Sequence, residues 1–276
     1  MKKDFQTLPM PCLAEFSFSN GNNKELSLLT DESLWHACGV RIVFTDRCGG
    51  VSEGEFSSLN LHHKDGDTIE NEYQNRNLLM SCFDDYIEKQ KLICPNQVHG
   101  SNILIVEDAQ QTNALAHGGA DGILCNKCGV PVLLCFADCV PVIVVAPDSS
   151  FAILHAGWRG AYSDIAAKGL KMLASEASCC VADCNIYIGP HIGTCCFEVS
   201  DELAQQFAEK YGLDVVPTKR HVDLSSVIIK QLICIGADKN RIADAKVCTS
   251  CNIDKYYSYR AENGKCGRHG AFAFIR

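Results

Sequence analysis

The chain alternates between short apolar runs and stretches of helical amphipathicity, and its longest apolar tracts lie near the middle. Residues 130–136 and 140–145 are almost wholly apolar and rich in β-branched side chains, the pattern of strands buried on both faces. Residues 151–154 predict another short strand that ends at His155. Gly157 and Gly160 then turn the chain into a helix expected over about 161–174, where Ile165, Gly169, Met172 and Leu173 share a face. Upstream, Leu78, Leu79, Cys82, Tyr86 and Ile87 fall near helical spacing and predict a helix over 71–90. Residues 91–98 and 101–106 read as strands around a corner at Gln97-Val98-His99-Gly100. Downstream, a strand at 185–188 stops at Gly189-Pro190, and helices are expected at 201–211 and 222–235, the second capped by Asp223 or a neighbour. Residues 246–248, 256–259 and 271–275 are further strand candidates. This irregular alternation predicts an α/β fold with mixed sheets. No linker, repeat or charge block divides the sequence, so residues 1–276 are expected to form a single catalytic domain.

Composition narrows the class. With 47% hydrophobic and 21% charged residues the chain is globular. A net charge of -8 argues against a nucleic-acid partner. The apolar tract 130–146 approaches membrane length, yet Asp138 lies inside it and Pro131 and Pro141 punctuate it, so paired strands fit better than a span. Met1-Lys2-Lys3 imitates the start of a signal peptide, but Asp4, Gln6 and the prolines at 9 and 11 leave no apolar run behind it. A cytoplasmic location is expected. Eighteen cysteines there are reduced thiols, and most, such as Cys135 within a strand, serve as small buried hydrophobes.

Candidate chemistry concentrates in Gln97-Val98-His99-Gly100, Ala137-Asp138-Cys139-Val140-Pro141 and His155-Ala156-Gly157-Trp158-Arg159-Gly160. Each offers one soft or borderline metal ligand where the chain reverses or leaves a strand. Three protein ligands leave zinc a free position for water or substrate, the mark of a catalytic rather than a structural ion. His155 runs directly into a glycine turn, and the helix N-terminus behind it, with Arg159, would favour an anion.

In order along the chain stand Thr45-Asp46-Arg47-Cys48-Gly49-Gly50-Val51-Ser52, Ser58-Leu59-Asn60-Leu61, Asn96 to Gly100, Ala137 to Pro141, His155 to Gly160, Ile188-Gly189-Pro190 and Tyr257-Ser258-Tyr259-Arg260. Together they resemble, over about residues 40–276, the family long labelled multicopper polyphenol oxidoreductase (laccase), whose members are also described as purine nucleoside phosphorylases. The resemblance implies an αββα sandwich. It implies zinc on His99, Cys139 and His155, with phosphorolysis of adenosine, inosine and methylthioadenosine and some adenosine deamination. Nucleoside and phosphate would then be the small-molecule partners, and the oligomeric state stays open. In that frame Arg47 and Arg159 are candidates for the anion, Asn60 and Gln97 for polar groups of the substrate, and Asp138 for proton transfer, ligand orientation or merely capping a turn. Trp158 and Phe136 are candidates for stacking on a purine, with core packing as the simpler role. Lys64 and His191 depart from the family pattern and bear on substrate preference.

Laccase chemistry itself is not expected. A multicopper site takes on the order of ten histidines in paired His-x-His arrangements. This chain has nine histidines and no such pair. Copper remains compatible with the zinc ligands, since it outranks zinc on most nitrogen and sulfur sets. Two rivals use other logic. Cys125/Cys128 and Cys248/Cys251 are Cys-x-x-Cys pairs that would together close a structural, non-catalytic zinc site. Cys139 with His155 or His99 as base and Asp138 as orienter would give a metal-free cysteine hydrolase acting on cell-wall-related substrates. Cys179-Cys180 and Cys195-Cys196 read as packing or surface thiols.

Overall fold

In a computed structural model, which describes residues 7–20, 24–63, 66–107 and 119–276, the chain forms two stacked sheets with helices outside. Met1 to Lys3 and Lys64 lie outside the described residues. The first sheet is antiparallel throughout. It contains β1 (Ala14–Asn20), β2 (Lys24–Thr30), β3 (Val40–Thr45), β6 (Val132–Phe136) and β11 (His269–Ile275), in the order β1-β2-β3-β11-β6. The second is mixed, with β10 (Ile242–Asp244), β9 (Asn185–Ile188), β7 (Val140–Val145), β8 (Phe151–Ala156), β5 (Gly122–Cys125) and β4 (Ile103–Val106) in that order. Its two outer pairs are parallel and its inner ones antiparallel.

Burial explains the layering. Along β7, Val140, Val142 and Val144 face the helical layer, while Ile143 and Val145 face the other sheet. Such a strand has no solvent side, which is why the apolar run is continuous. Ile42 and Phe44 of β3, Leu134 and Phe136 of β6, and Ile153 of β8 fill the space between the sheets. Outside the mixed sheet lie α4 (Ile165–Ala177) and α6 (Leu224–Cys234), which bury Leu170, Leu173, Val227 and Ile228. Outside the antiparallel sheet, α2 (Ile69–Ser81) sets Leu79 and Met80 against Leu133 and Phe272. The αββα sandwich implied by resemblance is the observed fold. No described helix is long and apolar enough to cross a membrane.

Several local expectations change. The helix expected over 71–90 starts two residues earlier, with Thr68 accepting the Asn71 amide hydrogen, and ends at Ser81, beyond which the chain continues as turns. The strand expected over 91–98 is reduced to isolated bridges at Ile93 and Asn96; Pro95, which has no N–H to donate, interrupts the ladder. The helix expected over 161–174 is two helices, α3 (Trp158–Tyr162) and α4, parted at Asp164, whose φ of 60° is left-handed. The strand expected at 246–248 lies at β10 instead, and left-handed Lys246 (φ 54°) stands where the extended run stops. Residues 256–259 form irregular chain rather than a strand, with the Tyr257 hydroxyl donating to the Phe56 carbonyl at 2.6 Å. The hydrophobic pattern leaves β3 unassigned because Arg41 interrupts it. In the structure Arg41 is buried, paired with Glu32 of α1 (Glu32–Cys38) and stacked on Trp35 at 4.6 Å. Helix α6 and α5 (Asp201–Tyr211) match expectation, with Asp223 and Ser200 as caps.

Strand β11 begins at His269, which is fully enclosed with its ring 5.6 Å from that of Tyr256. Burial, reinforced by the charges of Arg268 and Arg47, pushes its pKa down to about 3 from the ordinary 6.5. Between these values the unfolded chain holds a proton that the native chain does not. The stabilisation from keeping His269 neutral is therefore complete above pH 6.5 and is lost as pH falls towards 3, at up to about 1.4 kcal/mol per pH unit. Urea unfolding at a series of pH values should show a weaker pH slope across this window in His269→Phe than in the unsubstituted chain; identical slopes would refute the assignment.

Candidate metal centre and the cleft above it

The three sequence segments meet. One ligand atom from each of His99, Cys139 and His155 lies within 4.8 Å of the others. Each comes from a different kind of position. His155 is the penultimate residue of β8, Cys139 immediately precedes β7, and His99 sits in a turn with a left-handed φ of 58°. The antiparallel pairing of Val140 with Ala156 and of Pro141 with His155 brings the first two together.

Asp121, just before β5, fixes the rest. Its fully buried carboxylate accepts hydrogen bonds from His155 Nδ1 at 2.8 Å, the His99 amide at 2.9 Å and the Gly100 amide at 2.6 Å. Bonding through Nδ1 leaves His155 Nε2 for a ligand role and sets the ring's orientation, as a carboxylate does behind many metal-bound imidazoles. Burial alone would raise the Asp121 pKa. The hydrogen bonds from His155 and the two amides, with the charge of His155, overcome this and hold the carboxyl below its usual range. Burial likewise opposes ionisation of Cys139, but His155 and His99 outweigh it and lower the thiol to about 6. Burial would lower the His155 pKa, whereas Cys139 and Asp121 raise it to about 9.

Gly157 supplies a test of fit for a metal. A Cβ built there would stand 3.1 Å from Cys139 Sγ and 3.2 Å from His99 Cδ2, filling the space between the donors. Its backbone (φ -64°) suits any residue, so the glycine serves the space rather than the turn. Two imidazoles and a thiolate around that gap suit zinc, and suit copper as well.

The centre lies at the wall of a cleft of about 700 Å³, bordered also by Gln97, Asp138, Trp158, Arg159, Tyr259 and Arg260. Arg159 is exposed, stacks on Trp158 at 4.1 Å and has no carboxylate partner among the described residues. Helix α3 behind it has only five residues, so an anion here would depend on Arg159 rather than on a helix dipole. Asp138, left-handed at φ 81°, has both carboxylate oxygens engaged, by the Thr249 hydroxyl at 2.6 Å and the Arg260 amide at 2.7 Å. That arrangement suits a latch for the cleft rim better than a proton carrier. The Gln97 side chain lines the cleft, but its amide is paired twice with the backbone of Cys135, at 2.8 Å each way.

Three sequence-based candidates stand elsewhere. Arg47 does not border the cleft: it donates to the Ser57 and Ile253 carbonyls, pairs with Glu262 at 3.1 Å and covers the Tyr257 ring. Asn60 is fully buried and ties Asp67 to the backbone of His62 and Arg268. Phe136 packs in the core with its ring 5.2 Å from that of His155. The supposed pairing of Cys125/Cys128 with Cys248/Cys251 does not form. Cys248 and Cys251 gather instead with Cys195 and Cys196. Asp121 escaped the sequence reading, although a lone acid opening the apolar run of β5 was its one signal. Tyr259 and Arg260 were visible only as part of a motif with no role attached.

The fold is thus a mixed α/β sandwich with a histidine–cysteine cluster that could hold a metal ion at an open cleft. The chain belongs to the multi-copper polyphenol oxidoreductase laccase family, whose model matches residues 41–276. It is 32% identical over 241 residues to the purine nucleoside phosphorylase YlmD of Geobacillus stearothermophilus, covering 83% of this chain and 87% of that one. It is 31% identical over 260 residues to a purine nucleoside phosphorylase of Bacteroides thetaiotaomicron, covering 89% and 95%. Among solved structures, YlmD of G. stearothermophilus aligns with a TM-score of 0.79 at 30% identity over 86% of this chain and 92% of that one. The hypothetical protein YfiH of Bacillus licheniformis aligns at 0.82 with 28% identity, over 90% and 96%.

Two substitutions check the centre. Asp121→Asn should weaken zinc binding by about 10–100-fold, measured by chelator competition. Gly157→Ala should also lose zinc affinity while its circular dichroism and unfolding midpoint stay near those of the parent; unchanged affinity would mean the gap at residue 157 is not the metal's.

Proposed function

We propose that this chain is a zinc-dependent purine nucleoside phosphorylase acting on adenosine, inosine and methylthioadenosine, with adenosine deamination as a second activity. One observation carries the reading. The His99, Cys139 and His155 donors converge beside Arg159 in an open cleft, in a chain about a third identical to relatives named purine nucleoside phosphorylase.

In phosphorolysis a phosphate oxygen bonds to the ribose anomeric carbon. The bond from that carbon to the purine nitrogen breaks, its electron pair leaves with the base, and a proton is taken up on the purine. The phosphate role of Arg159 is supported by its exposure at the cleft and by the lack of a carboxylate partner among the described residues. The Trp158 ring lies 4.1 Å from the Arg159 guanidinium and helps hold it there. Asp138 holds the Arg260 backbone and Thr249 at the rim, and Gln97 braces the loop that carries His99. Zinc, when bound by His99, Cys139 and His155, supplies Lewis acidity, the chemistry that deamination at the purine C6 requires. Nucleoside and phosphate are the proposed partners, and eighteen cysteines suit the reducing cytoplasm.

Cys139, His155 and Asp121 also form a thiol–imidazole–carboxylate chain, the one observation that favours a metal-free cysteine hydrolase. Release of hypoxanthine from inosine, dependent on phosphate and followed by chromatography, tests the main reading. Activity should vanish on chelation and return with zinc. Full activity in metal-depleted protein, abolished by iodoacetamide, would instead favour the hydrolase chemistry. Arg159→Ala should raise the KM for phosphate by about tenfold or more, the loss of one charge-assisted contact, with the KM for inosine far less affected.

A further inference from the structure

Four cysteines lie apart from the centre just described. The sulfur atoms of Cys195, Cys196, Cys248 and Cys251 all fall within 4.8 Å of one another, and Cys251 Sγ is 3.4 Å from Cys196 Sγ and 3.6 Å from Cys195 Sγ. Four thiolates about 2.3 Å from a tetrahedral zinc stand about 3.8 Å apart. The sulfurs therefore already occupy a volume that one ion would organise.

The backbone around them is built to keep that arrangement. Residues 191 and 248 form a parallel bridge, with the His191 amide donating to the Val247 carbonyl at 3.1 Å and the Thr249 amide to the His191 carbonyl at 3.0 Å. The Gly193 amide donates to Cys248 Sγ at 3.2 Å, the amide-to-sulfur contact that supports a thiolate ligand. Gly193 also has to be small, because a Cβ there would meet Cys248 Cβ at 3.2 Å and Cys195 Sγ at 3.3 Å. The donor set is all sulfur, which selects zinc or iron in tetrahedral coordination over hard cations.

We propose that Cys195, Cys196, Cys248 and Cys251 bind a structural zinc ion as a closed tetrathiolate, a second metal site separate from that of His99, Cys139 and His155. On binding, the four thiol protons pass to solvent and four zinc–sulfur bonds form, leaving a site of net charge -2. The Arg260 guanidinium donates to the Cys196 and Glu198 carbonyls at 2.9 and 3.0 Å, on the loop that carries Cys195 and Cys196. The ion clamps two segments that both reach the cleft. One presents the Ile192 amide to the Asp138 carbonyl, and the other presents the Thr249 hydroxyl to the Asp138 carboxylate. Zinc here holds the cleft rim and takes no part in chemistry, since four protein ligands leave no open position.

Zinc is added to the full chain, prepared with a phosphine reductant, and native mass spectrometry counts the ions bound. The unsubstituted chain should hold one zinc more than Cys248→Ser/Cys251→Ser. That extra ion should persist in His99→Ala/His155→Ala, whose cobalt-loaded form should show the charge-transfer bands of a tetrathiolate. In the unsubstituted chain, zinc should slow alkylation of these four cysteines, read by peptide mapping, by about tenfold or more. The proposal is overturned if His99→Ala/His155→Ala binds no zinc while remaining folded. It is equally overturned if zinc leaves the alkylation rates unchanged, or if mapping of the reduced, zinc-treated chain finds Cys251 in a disulfide with Cys195 or Cys196.

Discussion

A single buried carboxylate, that of Asp121, sets the geometry on which the centre depends. From its place just before β5 it joins two other parts of the chain: the end of β8 through the His155 ring, and the turn at 99–100 through two amides. An isolated carboxylate with no exposure would be costly, and here its hydrogen-bonding capacity is filled by groups that the site needs in fixed places. Orientation of the imidazole and closure of the turn are thus one event.

Around that carboxylate the two sheets divide the labour. The mixed sheet supplies two of the three candidate ligands at the ends of adjacent antiparallel strands, where pairing fixes the spacing of Cys139 and His155. The antiparallel sheet contributes Cys135 of β6, whose backbone holds Gln97 and with it the loop carrying His99. Shared packing of Phe44, Phe136 and Ile153 locks the sheets face to face. Close-packed protein interiors resist small displacements, so the relative position of the three donors follows from the stacking of the sheets.

What the sequence revealed and what it concealed differ by the range of the interactions involved. The apolar runs of β6, β7 and β8 and the cap Asp223 were legible because the signal lies within a few residues. The three candidate ligand positions stood out because each pairs a donor with a chain reversal. Arg47 and Asn60 stand away from the cleft lining and bond to neighbouring loops, since a polar residue in a motif can serve the backbone as readily as a substrate; Asn60, with no exposure, ties loops together. The break at Asp164 is a conformational choice of one residue inside a helix-compatible pattern. Cys195 and Cys196 read as unrelated to Cys248 and Cys251, more than fifty residues away, because only the bridge between residues 191 and 248 brings them together.

Strand β11 spans residues 269–275 yet sits between β3 and β6, in the interior of its sheet. During synthesis β3 and β6 leave the ribosome with facing edges unsatisfied, and nothing made in between can fill the gap. The sheet is completed only when residues 269–275 emerge, so assembly waits on more than 120 residues after β6. A nascent chain halted before residue 269 would present two bare strand edges, the form most open to pairing with a neighbour. Molecular chaperones would therefore matter most in the interval before those residues appear.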